Sequence, residues 1–136
     1  MIPFAPSPLS GPAAAIMRQL NPRAVLAVED GLLVAIEDAW DCPEDARLYR
    51  MEYRSTSDGR GAVAYCLSNP WDRARPSAGV DARIGHVFQD GFLCLGAASP
   101  REPAQSPRSL RDTVLRARYW CTAFSVLKET GSFPNP

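Results

Sequence analysis

Hydrophobic positions in the first half of the chain follow the patterns of β-strands. Two runs rich in valine, leucine and isoleucine flank Glu-Asp-Gly at 29–31, a signal for a hairpin turn. Further along, Tyr49, Met51 and Tyr53 alternate with charged residues, as expected for a half-buried strand. The segment AVAYCL follows a turn sequence and predicts a fourth strand. Together these patterns predict a four-stranded antiparallel meander.

Two other segments have the spacing of helices. Residues 13–21, AAAIMRQLN, contain good helix formers and precede a proline, which predicts a short N-terminal helix. Residues 1–12 hold four prolines and predict an extended arm. Near the C-terminus, Ser109 is a suitable N-cap with Asp112 three residues later, and Gly131 predicts the end of a long helix. The expected buried stripe of that helix consists of Leu110, Val114, Ala117, Cys121 and Phe124.

The predicted elements follow one another in the order helix, four strands, irregular loop and long helix. This order predicts an α+β fold. The length of 136 residues and the hydrophobic content of 46% fit one domain spanning residues 1–136. The 15 basic and 15 acidic residues cancel, which argues against a surface built for nucleic acid or an anionic membrane. No stretch approaches the roughly 18 apolar residues of a membrane span, and no leader pattern begins the chain. We therefore expect a cytoplasmic protein.

The segment HVFQDGFLCLG, residues 86–96, contains the only histidine and one of the four cysteines. It follows a long loop rich in proline and glycine, and a loop of that length within a compact domain is usually functional. Gln-Asp-Gly marks a tight turn, so we expect Cys94 on a short extended segment just beyond it. On the residues alone, Cys94 is either a small core residue or a nucleophile, since a thiol of ordinary pKa is already strongly nucleophilic. In the second case, His86 is a candidate base beside it.

The other cysteines have different expected roles. Cys66 in the fourth strand and Cys121 on the helical stripe are expected to be packing residues, and Cys42 a loop thiol. The sequence has no C-x-x-C pair and no close pairing of zinc ligands, so we expect free thiols, no metal and no cofactor. Trp71 is expected to pack against the fold rather than to contact a partner.

The sequence of elements, together with Gly91, Leu93, Cys94 and Leu95, resembles the ubiquitin-conjugating enzyme family. In that family a histidine-proline-asparagine motif precedes a G-x-[IL]-C-L segment, whose cysteine accepts the C-terminus of ubiquitin as a thioester. The resemblance covers residues 13 to 127 approximately. It implies a ubiquitin-conjugating-like domain with Cys94 as the catalytic carrier, and an activating enzyme of the ubiquitin-activating type as a partner.

The chain also departs from the family's pattern. Val87 and Phe88 stand where the family has proline and asparagine, and the interval from His86 to Cys94 is shorter. This compact form is more similar to bacterial relatives that occur beside ubiquitin-like proteins or, in CBASS antiphage operons, beside cGAS-like nucleotidyltransferases. The resemblance therefore implies a transferase of antiviral defence that passes the C-terminus of one of these proteins to an amine.

Several roles stay open on the residues alone. His86 is either a structural residue of the loop or the base of a Cys-His pair. Asp90 either orients and deprotonates an incoming amine or serves only as a turn residue. The alternatives to a transferase are a catalytically inert binding module of the same fold and a Cys-His peptidase or isopeptidase. The candidates for stabilising an oxyanion are the backbone amides of Leu95 and Gly96 and the side chains of Gln89 and Asn69.

Overall fold

The computed structural model of the chain describes residues 7–41, 47–71, 92, 93, 95 and 102–134. Within them it has an α+β fold, as predicted, with two α-helices and one four-stranded sheet. The helices are α1 (Pro12–Leu20) and α2 (Leu110–Thr130), and the strands are β1 (Val25–Glu29), β2 (Leu32–Trp40), β3 (Leu48–Ser55) and β4 (Ala62–Ser68). Two single turns of 3-10 helix cover Pro8–Ser10 and Pro103–Gln105.

The sheet is a meander in which every strand is antiparallel to its neighbours, in the order β1-β2-β3-β4. The predicted hairpin between β1 and β2 is confirmed. Asp30 and Gly31 form its two-residue turn, and both have positive φ, at 52° and 78°. This backbone conformation matches the twist of a two-residue hairpin, and glycine adopts it without steric cost.

One face of the sheet forms the core together with both helices. Tyr49, Met51 and Tyr53 on β3 are fully buried, which confirms the alternation seen in the sequence. Two neighbouring strands contribute to the same face through Leu33 on β2 and Cys66 on β4. The two helices cover this face, so the sheet has one face against the core and an outer face.

The long helix begins and ends where the sequence predicts. The Ser109 hydroxyl accepts a hydrogen bond from the Asp112 N–H at 3.2 Å, and Gly131 after the last turn is left-handed with φ 82°. The Asp112 carboxylate, however, accepts from the Arg108 and Arg116 side chains, so it serves surface ion pairs. All five residues of the predicted stripe are buried. No helix in the described parts of the chain is long and apolar enough to cross a membrane.

The N-terminal part differs from the prediction in its details. Residues 8–10 form a turn of 3-10 helix capped by the Ser7 hydroxyl, and α1 begins at Pro12. The predicted extended arm over residues 1–12 was therefore wrong for residues 8–10 and 12, while residues 1–6 lie outside the described residues. Proline at a first helical position is favourable because its fixed φ suits the helix and its missing N–H would have no helical acceptor.

The turn between β3 and β4 makes a close approach that yields a stability prediction. A Cβ atom at Gly61 would lie 2.0 Å from the carbonyl oxygen of Pro103. We expect Gly61→Ala to lower the free energy of unfolding by about 1–3 kcal/mol, since backbone must move to relieve the overlap. Urea denaturation followed by circular dichroism measures this change.

Gly31→Ala provides the comparison, because a Cβ there meets nothing within 4 Å and only the positive φ opposes it. We expect a cost of about 1 kcal/mol at this position. Equal and negligible costs at both positions would contradict the close approach at Gly61.

Candidate functional site

The three residues predicted to form the catalytic site, Cys94, His86 and Asp90, lie outside the described residues. Cys42 and two of the candidate oxyanion donors, Gln89 and Gly96, do so as well. The roles assigned to them from the sequence therefore stay predictions. The described structure does place the residues on either side of Cys94.

The two residues before Cys94 pair with the edge of β4 that does not face β3. Phe92 forms an antiparallel bridge with Tyr65, and the centroids of their rings are 5.4 Å apart. The Leu93 N–H donates to the Ala64 carbonyl oxygen at 2.9 Å, and the Leu93 side chain is buried in the core. Leu95 packs against the same core. Phe92 and Leu93 thus add a short bridged segment to the sheet beside β4. The side chains of Leu93 and Leu95, on either side of position 94, both pack against the core.

Cys66 and Cys121 are both buried, as predicted for packing residues. The Cys66 thiol is 3.4 Å from the Ser68 carbonyl oxygen, and the Cys121 sulfur is 3.8 Å from that of Met51. Burial raises the pKa of the Cys121 thiol well above its ordinary value. A protonated thiol inside the core is a poor nucleophile. The cysteines that stay candidates for acyl chemistry are therefore Cys42 and Cys94.

Trp71 is a packing residue, as expected. Its ring packs against the core, its indole N–H lies 3.4 Å from the Ser125 hydroxyl, and the Arg47 guanidinium lies 4.7 Å above its ring centroid. Asn69 is buried nearby, and its side-chain oxygen accepts a hydrogen bond from the main-chain N–H of Trp71 at 3.0 Å. This contact gives Asn69 a structural role in the turn after β4.

A polar cluster centred on Glu37 was missed by the sequence analysis. Glu37 lies on the core face of β2 and is only 3% exposed. Its carboxylate accepts hydrogen bonds from Asn21 Nδ2 at 3.0 Å, from Arg118 Nη2 at 2.7 Å and Nε at 3.0 Å, and from the Tyr53 hydroxyl. Arg118 also donates to the Leu20 carbonyl oxygen at 3.2 Å. The period of two in β2 places Glu37 on the apolar face, which is the signal that could have revealed the cluster.

The hydrogen bonds keep Glu37 charged despite its burial. Burial alone would raise the pKa of this carboxyl, but the bonds from Arg118, Tyr53 and Asn21 lower it below its ordinary value. Burial and the adjacent Glu37 raise the pKa of Tyr53, so that its hydroxyl stays protonated and donates. Because four donors already occupy the carboxylate, Glu37 is suited to holding the fold together rather than to accepting a proton from a substrate.

A groove of about 500 Å³ opens beside this cluster. One wall consists of the last residue of α1, Leu20, with Asn21 and Arg23 after it, and the other is the end of β2 from Glu37 to Trp40. The volume is within the usual range of ligand sites. No group of three or more potential metal ligands occurs in the parts of the chain that the structure describes.

Comparison of the chain with family models, with curated proteins and with solved structures found no match. Two places in the described structure bear on function: Phe92, Leu93 and Leu95 beside Cys94 in the chain, and the groove at the end of β2.

The buried ion pair predicts a large effect of removing its cation. We expect Arg118→Met to lower the free energy of unfolding by about 3 kcal/mol, because it leaves the Glu37 charge buried without its main partner. Arg116→Met is the control, since Arg116 pairs with Asp112 on the surface and such pairs contribute about 0–1 kcal/mol. Urea denaturation at neutral pH compares the two. Equal losses would contradict a dominant role for the buried pair.

The lowered pKa of Glu37 predicts a pH dependence of stability. A carboxyl whose pKa is lower in the folded chain contributes stability above its ordinary pKa, and this contribution is lost as the pH falls through the folded pKa. We expect the wild type to exceed Glu37→Gln in stability at pH 7, and the difference to shrink as the pH falls below about 4.5, the ordinary value. Urea denaturation of both proteins between pH 7 and pH 3 measures it; a difference independent of pH would contradict the assignment.

Proposed function

We propose that this protein is a ubiquitin-conjugating-like transferase. In this proposal Cys94 carries the C-terminus of a ubiquitin-like protein or of a cGAS-like nucleotidyltransferase as a thioester and passes it to an amine. The observation that carries the proposal is the order of the elements: α1, an antiparallel meander in sequential strand order, a short segment bridged to β4 next to Cys94, and the long α2. That order agrees with the resemblance seen in the sequence.

The attachment of the chain beside Cys94 supports the proposal further. A carrier cysteine has to meet two large reactants in turn, so a fixed position of its backbone reduces the entropic cost of each encounter. The hydrogen bond from Leu93 to β4 and the packing of Leu93 and Leu95 on the core supply such attachment. The burial of Cys66 and Cys121 leaves few competing thiols.

The proposed reaction has two acyl transfers. In the first, the Cys94 thiolate attacks the thioester carbonyl on an activating enzyme; a new C–S bond forms, the old C–S bond breaks, and the departing thiolate takes up a proton. In the second, an amine attacks the Cys94 thioester, an amide bond forms, and the C–S bond breaks; the proton that the amine loses passes through Asp90 to the departing Cys94 thiolate. A thiol suits both steps, because it is a good nucleophile and a good leaving group.

The other two predicted residues have supporting roles in this proposal. His86 holds the active-site loop through hydrogen bonds, and Asp90 orients the incoming amine and accepts its proton. A backbone amide beside Cys94 stabilises the oxyanion, since Val87 and Phe88 occupy the positions of the family's proline and asparagine. The setting in bacterial antiviral defence follows from the resemblance alone, whereas the expected location in the cytoplasm comes from the hydropathy pattern of the sequence. The same two substitutions favour a second candidate, an inert binding module of this fold.

Loading of a model acyl donor tests the proposal. The probe is a fluorescent peptide that ends in glycine and carries a mercaptoethanesulfonate thioester. We expect a fluorescent adduct on a non-reducing gel that dithiothreitol removes, and transfer of the peptide to free lysine when lysine is added. Cys94→Ala should abolish the adduct, whereas Cys42→Ala, which removes the other candidate thiol, should retain it.

Each other outcome contradicts the transferase. The absence of an adduct on the wild type, with the fold intact by circular dichroism, favours the inert module. Release of free peptide acid faster than transfer to lysine favours a hydrolase that uses Cys94 and His86.

Asp90→Asn separates the loading step from the transfer step. We expect this variant to slow transfer of the peptide to lysine about tenfold or more while leaving the rate of loading unchanged.

A further inference from the structure

Strand β2 is longer than the strand that pairs with its outer edge. β1 pairs with β2 only from Leu32 to Ile36, whereas β3 pairs with it as far as Trp40. Among the described residues, the end of β2 from residue 37 to residue 40 therefore has a paired strand on one side only. An unpaired strand edge presents main-chain donors and acceptors to any extended chain that approaches it.

The register identifies the main-chain groups on that edge. The Asp41 N–H donates to the Arg47 carbonyl oxygen at 3.1 Å, so this is a hydrogen-bonded pair of the β2-β3 ladder. Because such pairs alternate in antiparallel sheets, residues 37 and 39 also direct their main-chain groups toward β3. Asp38 and Trp40 therefore direct theirs toward the opposite edge, in line with the residues of β2 that pair with β1.

The chain that could have continued β1 turns away at this point. Val25 pairs with Ile36. If β1 extended two residues further toward the N-terminus in the same register, Arg23 would pair with Asp38. Instead the Arg23 N–H donates to the Asn21 side-chain oxygen at 2.9 Å. The groove of about 500 Å³ occupies the resulting gap, and a second cavity of about 270 Å³ continues it past Arg23 and Asp38.

The charges that line the groove favour an anionic occupant. Both of its carboxylates already have partners, since Glu37 accepts four hydrogen bonds and Asp38 pairs with Arg50 at 3.2 Å. The Arg23 guanidinium has no partner within the described residues, and neither has Nη1 of Arg118. The unused groups are thus cationic donors, and their complement is a carboxylate.

Apolar surface lies beside the open edge. Trp40 is 57% exposed and pairs across the strands with Leu48, which is 39% exposed. Both lie on the outer face of the sheet. A strand that joins the edge presents side chains beside both Trp40 and Arg23, so an apolar residue at the first and an acidic residue at the second match what the groove offers.

We propose that the groove binds an extended acidic peptide of a partner protein by strand addition to β2. The peptide main chain hydrogen bonds to Asp38 and Trp40, a peptide glutamate or aspartate contacts Arg23, and a neighbouring apolar side chain packs on Trp40. Strand addition of this kind derives affinity from main-chain bonds and specificity from alternate side chains. The groove lies at the end of β2, whereas Phe92 and Leu93, which precede Cys94 in the chain, pair with β4. Occupation of the groove therefore does not depend on the transferase chemistry proposed above.

Synthetic peptides test the proposal on the full chain. The probe is a fluorescein-labelled eight-residue peptide of alternating valine and threonine with one central glutamate and serines at its ends. We expect saturable binding by fluorescence anisotropy, retained in Cys94→Ala, and slower hydrogen exchange of the Asp38 and Trp40 amides by NMR. The same peptide with glutamine should bind at least about tenfold more weakly, since a charge-assisted bond is lost. N-methylation of alternate peptide amides should abolish binding.

Matched charge reversals complete the test. Arg23→Glu should weaken binding of the glutamate peptide at least about tenfold, whereas Arg18→Glu, an exposed position of α1 that does not line the groove, should leave it unchanged. Absence of binding up to about 1 mM peptide, or equal affinity for the glutamate and glutamine peptides, would overturn the proposal. So would a concentration-dependent dimer in sedimentation velocity that Trp40→Ala disrupts, because the edge would then pair with a second copy.

Discussion

A buried carboxylate connects the parts of this fold. Glu37 lies on the core face of β2, and its hydrogen bonds join that strand to β3 through Tyr53, to α2 through Arg118 and to the chain after α1 through Asn21. A charge removed from water has to be compensated by partners in fixed positions, or its burial is strongly unfavourable. To compensate the Glu37 charge, α2 has to pack on the sheet where Arg118 reaches the carboxylate, and α1 has to end where Asn21 reaches it.

The same interaction shapes the edge of the sheet. The Asn21 amide group donates to Glu37 while its oxygen accepts the Arg23 N–H, and Arg118 donates to the Leu20 carbonyl oxygen. These bonds hold the chain between α1 and β1 away from the end of β2. The strand therefore continues past its partner, and the groove is a consequence of how the buried charge is satisfied. The structural role of the cluster and the binding role proposed for the groove thus depend on one set of contacts.

The two proposed activities lie at opposite edges of the sheet. The segment beside Cys94 extends the sheet beyond β4, whereas the groove lies next to β1 on the far side. A partner held at the β2 edge would leave the β4 edge accessible to an acyl donor or an amine. In the proposed transferase, this separation would allow the chain to hold a partner and exchange its acyl group at the same time.

Local patterns in the sequence were sufficient for the elements and their order. The period of two on β3, the Asp30-Gly31 turn and the Ser109 cap each depend on neighbouring residues, so they could be predicted without a structure. For the candidate catalytic site, the sequence supplied the residue types and the motif. The partnership of Glu37 with Arg118 and the open edge at Trp40 were decided by tertiary structure. They join positions far apart in the chain, and periodicity shows which face a side chain occupies but not which distant group meets it there.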